Sequence, residues 1–580
     1  MRAKTAFLTV AACCLGAASA SAGMWMFDGT DKLTHTDNDV EWVLKASANG
    51  KSLTVTGTHR GPQPRFEQRT LAGAVPGEQK WTLPSADLPL ADAVTDGYTI
   101  TAIGRFAFQF GQQLGNVTLG NGLTRIDEFA FIRCASLTEL ELPASLTDIG
   151  QHAFCECSGL TELTIPAGVT NISMGAFTRC SGLTSVTIPD TATNIGEGAF
   201  AGCASLTNIS VSATHPTRRS IGGVLFDKAA KTLDTYPAGR TGTYAIPDGV
   251  TAIGSSAFES CVLTEVTIPD SVASIGWSTF GFCTNLTEIT LPASVTRIGQ
   301  RTFSRCDRLA KITVAAENTA YRSIGGVLFD NDVTQLLRYP PARPATAYAI
   351  PGGVTNIAIE AFAQCARLTE VTIPDSVTRI SHQAFAGCAG LTKMTIPDSV
   401  TAIEGSTFHL CAGLTEVTLG NGIPHIPDYM FFKCARLKTV TIPDSATRID
   451  HEAFKDCTGL TGVTIPDSVT RIGSDAFENC ARLPSATIPA SVTTLGKNVF
   501  IGCPALTGVT FNGQCPEGAE NLYGDKSYWN GAPTLSATNH IRREHAASWA
   551  ARLDSGSLEA GTAIWQKRPI RVLRDAFDTP

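Results

Sequence analysis

Cysteine is the residue type in this 580-residue chain most suggestive of chemistry, and its spacing argues against most of that chemistry. Fourteen of the 18 cysteines recur in one column: Cys134, Cys157, Cys180, Cys203, Cys261, Cys283, Cys306, Cys365, Cys388, Cys411, Cys434, Cys457, Cys480 and Cys503. Most steps are 22 or 23 residues, and two are 58 and 59. A metal centre needs thiolates or imidazoles that converge at close spacing, and this period supplies one thiol per structural turn instead. Free cysteine behaves as a small buried hydrophobe, so the column is expected to stack, reduced, along an inner edge. Gly111 holds the same place in the first copy. Cys155 and Cys515 lie outside the column, each either free or paired. The ten histidines are scattered, and His152, His382 and His451 fall at variable positions two or three residues before a recurring phenylalanine, which reads as a surface turn. The chain has no His-Glu-x-x-His, Gly-x-Ser-x-Gly or Gly-x-x-x-x-Gly-Lys-Ser/Thr. Catalysis requires two or three functional groups within reach of one another. The repeat offers one threonine and often one acid per turn, so no catalytic residue, cofactor or metal is expected.

The threonines form the second column. Thr372, Thr395, Thr418 and Thr441 belong to a longer series from Thr164 to Thr510, each between two apolar residues and so pointing outward. Glu139, Glu162, Glu265, Glu288, Glu370 and Glu416 run along the same outward side. One reading is sheet propensity and protection of edges. The other is a recognition strip on a concave sheet.

These columns exist because the chain repeats itself. A phenylalanine, usually in Ala-Phe-x-x-Cys, occurs fifteen times from Phe108 to Phe500, with twelve of fourteen gaps at 22 or 23 residues. That period is too short for common helical pairs and fits leucine-rich repeats. Leu368, Val371 and Ile373 alternate with polar neighbours, as a short half-buried strand does. Pro374, lacking an N–H, then ends the ladder. A second apolar set, Val377, Ile380, Phe385 and Cys388, closes the turn. The expected fold is mainly β: a leucine-rich repeat solenoid of short parallel strands with capping segments and two hairpin inserts. One turn cannot bury its own apolar side, but stacked turns bury a continuous core.

The expected divisions are a signal peptide over 1–22, an N-terminal β cap over 23–100, the solenoid over 101–512 and a C-terminal cap or small domain over 513–580. The leader reads as cleaved after Ala22, with lipidation at Cys13 as the alternative. No later stretch is apolar enough to span a membrane. In the N-terminal segment, Asn49-Gly50 between two alternating runs predicts a hairpin. Near the C-terminus, residues 539–553 read as a helix capped by Asn539 with Ile541, Ala547, Trp549 and Leu553 on its apolar side, and residues 561–573 as a strand. The long inserts, about 212–240 and 315–343, share "SIGGVLFD" and predict hairpins projecting from the coil. Each reads as a strand near 224–226 or 327–329, an acidic turn, and a strand ending at Tyr236-Pro237 or Tyr339-Pro340. They could be either a longer repeat variant or a dedicated contact surface. Net charge is −7 with 17% charged residues, which argues against nucleic acid or an anionic membrane as main partner.

The unit "LTEVTIPDSVTRIGxxAFxxC", with its Ile-Pro step, resembles the BspA-like bacterial surface leucine-rich repeat family over about residues 101–512. Leu-Gly replaces Ile-Pro at 119–120 and 419–420, where glycine can still turn the chain. The resemblance implies a secreted or cell-surface bacterial protein that binds an extracellular protein or glycan, with adhesion as the expected role. It carries no catalytic residues. A structural envelope component without a specific ligand is the alternative. Aromatic and Arg side chains dominate binding hot spots, so the candidate partner-binding residues are Arg218, Arg219, Tyr321, Arg322 and Arg338 in the inserts, ahead of Thr372, Thr395, Thr418 and Thr441.

Overall fold

The computed structural model describes residues 101–517 apart from 113 and 116, residues 519, 522 and 548, and the backbone of the strands at both ends. The leader, its cleavage after Ala22 and the lipidation site Cys13 lie outside the described residues. The chain divides into two compact units, Met1–Thr284 with Arg297–Phe303, and Asn285–Thr296 with Ser304–Pro580.

An ordinary repeat has three sides. The first is a strand such as Glu416–Thr418, in which Val417 is buried between two exposed residues. Lys393–Thr395, Glu416–Thr418, Thr439–Thr441 and Gly462–Thr464 pair in parallel and in register. The second side is a two-residue strand whose isoleucine points inward. Asp148–Ile149 pairs with Asn171–Ile172, and Arg379–Ile380 with Ala402–Ile403. The third is the Ala-Phe-x-x-Cys turn. It forms no strand, yet its amides still reach the next turn: Phe131 N donates to Ala153 O at 2.7 Å and Arg133 N to Cys155 O at 2.8 Å. The residues two before and two after the phenylalanine take positive φ, as in Phe129 (57°) and Arg133 (61°).

The recurring hydrophilic words are stitches between turns. Ser399 Oγ donates to Val377 O at 2.8 Å and Ser468 Oγ to Ala446 O at 2.7 Å. Thr470 Oγ1 reaches Thr447 O at 3.2 Å, and Thr415 Oγ1 reaches Thr392 O at 2.9 Å. A neutral hydrogen bond of this kind contributes about 1 kcal/mol net. The main cohesion is apolar, since each turn lays a fully buried phenylalanine against the next. Phe108, Phe131, Phe154, Phe177 and Phe200 stack with centroids 4.8–5.6 Å apart. In the second unit the stack runs from Tyr339 through Phe362 to Phe500, with spacings of 4.9–5.7 Å. Such separations suit offset aromatic packing.

Both expected inserts contain hairpins. Arg218–Ile221 pairs antiparallel with Val224–Asp227, and Tyr321–Ile324 with Val327–Asp330. The turn residues Gly222 and Gly223 have φ of 55° and 82°, the doubly positive pattern that favours glycine in tight hairpins. The hairpins do not project as expected. Val224, Leu225 and Phe226 are buried, and a third strand, Thr232–Thr235, pairs with Val224–Asp227 on one side and in parallel with Ala252–Ile253 on the other. Tyr236 then stacks on Phe258 at 5.1 Å, in the place of a repeat phenylalanine. An apolar triplet such as Val-Leu-Phe gains too much from burial to stand in solvent. Each insert is therefore a long repeat whose last strand is part of the coil.

At the N-terminal end, Glu41–Ala46 pairs antiparallel with Ser52–Thr58, as Asn49-Gly50 predicts. Ser52–Thr58 pairs in parallel with Thr99–Ile103, which in turn pairs with Arg125–Ile126. At the C-terminal end the helical expectation fails at its start. Thr538–Arg542 is a strand, parallel to Gly508–Phe511 and to Arg568–Leu573. The open edge of Gly508–Phe511 offers backbone partners that outweigh a local helical pattern. Ala547, Trp549 and Leu553 of that expected helix lie outside the described residues. The expected closing strand is two strands, Ala563–Trp565 and Arg568–Leu573, paired antiparallel.

Candidate functional surfaces

The cysteine column packs as the sequence predicts. The fourteen column cysteines form no disulfide and are buried. Cys134 Sγ donates to Phe108 O at 3.1 Å, Cys411 to Phe385 O at 3.1 Å and Cys480 to Phe454 O at 3.3 Å, so the thiol is one more stitch between turns. Burial pushes Cys411 up to about 12, which keeps it a neutral thiol. A Cβ at Gly111 would meet Cys134 Sγ at 3.3 Å. Cys155 is free and buried, pushed up to about 11 by burial and then by Glu156. Cys515 forms no disulfide and is half-buried, and its amide donates to Ser548 Oγ at 3.2 Å.

The histidines are not isolated turn residues. His152 stacks on Phe129 at 5.3 Å. His451 meets Glu452 and Asp475, three ligand-type groups that the sequence reading left apart. Asp475 lies one residue past the next turn's counterpart of His451, so adding the 23-residue period would have found it. Nε2 of His451 is 3.2 Å from Glu452 Oε1, while Nδ1 is 3.0 Å from Ser474 O and 3.8 Å from Asp475 Oδ2. Acceptors at both ring nitrogens favour imidazolium, and the Glu452 hydrogen bond leads in raising the His451 pKa. A metal needs a nitrogen lone pair. Lys455 Nζ, 3.2 Å from Glu452 and 2.9 Å from Glu478, already supplies a cation. The cluster is an ion network between turns.

The threonines Thr372, Thr395, Thr418 and Thr441 are exposed at the outward position of their strands. Thr395, Thr418 and Thr441 are direct cross-strand neighbours. Thr372 lies on a strand paired with Ala347–Ala349. Thr439 and Gly462 take the place that Glu416 holds beside Thr418, so the acidic column is interrupted.

The insert residues separate. Arg219 and Arg322 are exposed, and Tyr321 is half-buried. Arg218 is half-buried, its Nε 2.8 Å from Asp234 Oδ2 and its Nη2 donating to Ile195 O at 3.1 Å. Arg338 is 4% exposed and donates from Nη1 to Glu360 O. Arg338 therefore presents no surface to a partner, contrary to its place among the candidates. An arginine in the strand's final position looked exposed in the sequence because the strand's membership of the coil was not visible.

The side that sequence reasoning passed over is the Ala-Phe-x-x-Cys turn of the first unit. Its exposed apolar side chains are Phe110 (51%), Trp277 (48%), Met174 (45%) and Phe282 (37%). Two residues after each stack phenylalanine the chain reads Phe110, Arg133, Glu156, Arg179, Gly202, Ser260, Phe282. These form a continuous strip. The Arg133 guanidinium lies 5.4 Å from the Phe110 ring centre and 2.8 Å from Glu156. Arg179 binds Glu259 at 2.9 Å and lies 4.8 Å over Phe282. It extends across Gly202, where a Cβ would come within 3.0 Å of its Cγ. Reading that single register down the repeats would have revealed the strip.

A family model described as "BspA type Leucine rich repeat region (6 copies)" matches residues 97–229, 241–338, 344–461 and 424–528. No curated protein matches. Among solved structures, a leucine-rich repeat protein from Eubacterium ventriosum is 24% identical over 60% of this chain and 84% of its own, with a TM-score of 0.43. One from Bacteroides ovatus is 23% identical over 81% and 92%, with a TM-score of 0.32. A leucine-rich cell surface protein from Faecalibacterium prausnitzii is 24% identical over 88% and 98%, with a TM-score of 0.33.

Proposed function

Because the chain belongs to the BspA-type leucine-rich repeat family, a family of scaffolds rather than catalysts, we propose that it is an exported cell-surface binding module with a role in adhesion. The leader over 1–22 carries export in this reading, and the segments 23–100 and 513–580 close the two ends of the repeat core. No helix among the described residues is long and apolar enough to cross a membrane.

The observation that carries the binding role is the turn face of the first unit. Its exposed Phe110, Trp277 and Phe282 and its pre-oriented Arg133 and Arg179 are the residue types that anchor protein interfaces. The arginines are already held by carboxylates and rings, so little side-chain freedom is lost on binding. This face supports a protein partner more than the threonine column does, and more than the inserts, where Arg219 and Arg322 are the exposed arginines. The test is binding of the mature chain to immobilised extracellular matrix proteins, glycans and cell-surface extracts. Phe110→Ser with Trp277→Ser and Phe282→Ser is expected to weaken capture at least about tenfold, or about 1.4 kcal/mol. Arg219→Glu with Arg322→Glu is expected to change it little. The reverse ranking moves the site to the inserts, and capture by none of these surfaces favours a structural envelope component.

A further inference from the structure

His215 is fully buried at the start of the first long repeat. Its Nδ1 accepts two backbone hydrogen bonds, from Thr217 N at 3.2 Å and Arg218 N at 3.1 Å. An acceptor of two N–H groups carries no proton, so the neutral ring bears its hydrogen on Nε2, which is buried without a hydrogen-bond partner. The same place in the second long repeat is taken by Asn318. Its Oδ1 accepts from Ala320 N at 2.9 Å and Tyr321 N at 2.8 Å, and its Nδ2 donates to Pro292 O and Val295 O. The two side chains hold equivalent edge strands, Arg218–Ile221 and Tyr321–Ile324, by the same pair of accepted backbone bonds. Asparagine does not titrate in this range and histidine does.

We propose that His215 is an acid-sensitive latch: it holds the edge strand Arg218–Ile221 against the coil while Nδ1 is unprotonated, and mild acid releases that strand but not Tyr321–Ile324. A proton on Nδ1 would point at two N–H donors, break both bonds and place a charge away from water. Burial, the leading influence, lowers the His215 pKa; Asp190 opposes this, and Arg218 and Lys228 add to it. The released strand exposes the imidazole, which then titrates near its ordinary value of about 6.5. Closure thus expels a proton. It is at full strength above about pH 6.5 and weakens by up to tenfold per unit below it.

Asp234 works in the other direction. Burial raises it to about 6, and Arg218 opposes that shift, with Asp227 and Glu197 nearby. Its raised value means that closure takes up a proton there, so acid lightens the cost of burying Asp234. Asp234→Asn removes this compensation.

The test is amide hydrogen exchange of the full mature chain at pH 7 and pH 5, corrected for intrinsic rates, on peptides over 215–221 and 318–324. In Asp234→Asn the first peptide is expected to lose up to about 30-fold protection between the two pH values, while the second is unchanged. His215→Asn, which installs the second repeat's own solution, is expected to abolish that dependence in the Asp234→Asn background. Asn318→His is expected to create it at 318–324. A loss of 215–221 protection in acid that persists in His215→Asn with Asp234→Asn overturns the latch, as does an Asp234→Asn chain whose two peptides respond alike. Circular dichroism at each pH confirms that the coil is folded.

Discussion

The two long repeats share the words "SIGGVLFD" and the same three-strand plan, yet they solve the same polar problems with different residues. Their apolar halves match: Phe226 and Phe329 are fully buried, as are Leu233 and Leu336, and Tyr236 and Tyr339 each head an aromatic stack. Arg240 and Arg343 both donate to the hairpin turn, at Gly222 O and Gly325 O. The polar halves diverge. The first repeat uses His215 and the Arg218–Asp234 ion pair, where the second has Asn318, Tyr321 and Leu337. The second buries Arg338 where the first buries Thr235. Apolar packing admits few substitutes, because each lost methylene leaves a void. A hydrogen-bond role can be filled by any side chain of suitable reach, and the substitutes differ in charge and titration.

The comparison is most severely tested in the shared half. Phe226→Ala and Phe329→Ala should each cost about 3–5 kcal/mol, with the loss falling first on interfaces with neighbouring turns. Limited proteolysis across a urea series should show early cleavage near the altered repeat in both variants. Cleavage in one variant alone would mean that the two apolar halves are not equivalent.

Arg338 gives a smaller effect of opposite sign. Its Nε and Nη2 have no hydrogen-bond partner in the second repeat. A buried polar group left unsatisfied costs about 1–3 kcal/mol, and more if charged, a cost that an apolar side chain of similar volume removes. Arg338→Met should therefore raise the urea midpoint of the second unit, and Thr235→Arg should lower that of the first. A destabilised Arg338→Met would show that the guanidinium is better compensated than its contacts indicate.

The smallest effect concerns the acidic turn. Val333 holds φ at 58° where the first repeat has Ala230 at 54°. A β-branched residue is strained there by about 1–2 kcal/mol relative to one that tolerates the left-handed region. Val333 also packs against the core, so Val333→Asn should gain about 0.5 kcal/mol net, seen as a slight rise in melting temperature. Ala230→Asn should gain less.

Much of this was legible in the residues. Phe385, Cys388, Val371 and Ile380 could be assigned to the core because each recurs at a fixed register, and a side chain that meets its own copy one turn away must suit that environment every time. The outward placement of Thr395, Thr418 and Thr441 followed from strand alternation. The antiparallel pairing of Glu41–Ala46 with Ser52–Thr58 was also readable, since Asn49-Gly50 between two alternating runs is a strong hairpin signal. The strip from Phe110 to Phe282 was present in the same register, one column away from those that were read.

Residues 539–542 and Arg338 show where the linear pattern stops. "NHIR" suits a helix or a strand taken alone, and the unpaired edge of Gly508–Phe511 selects the strand. The arginine at the end of Gln335–Arg338 is buried because that strand pairs with Asn356–Ile357, a partner that nothing within the insert specifies. His451 with Asp475, and His215 with two amides, likewise depend on distances between turns. Periodicity determines what each turn must do with its own apolar residues, because one short segment carries the whole pattern. The fate of a polar side chain is decided by whichever neighbouring turn supplies its partner, and that is settled only when the turns stack.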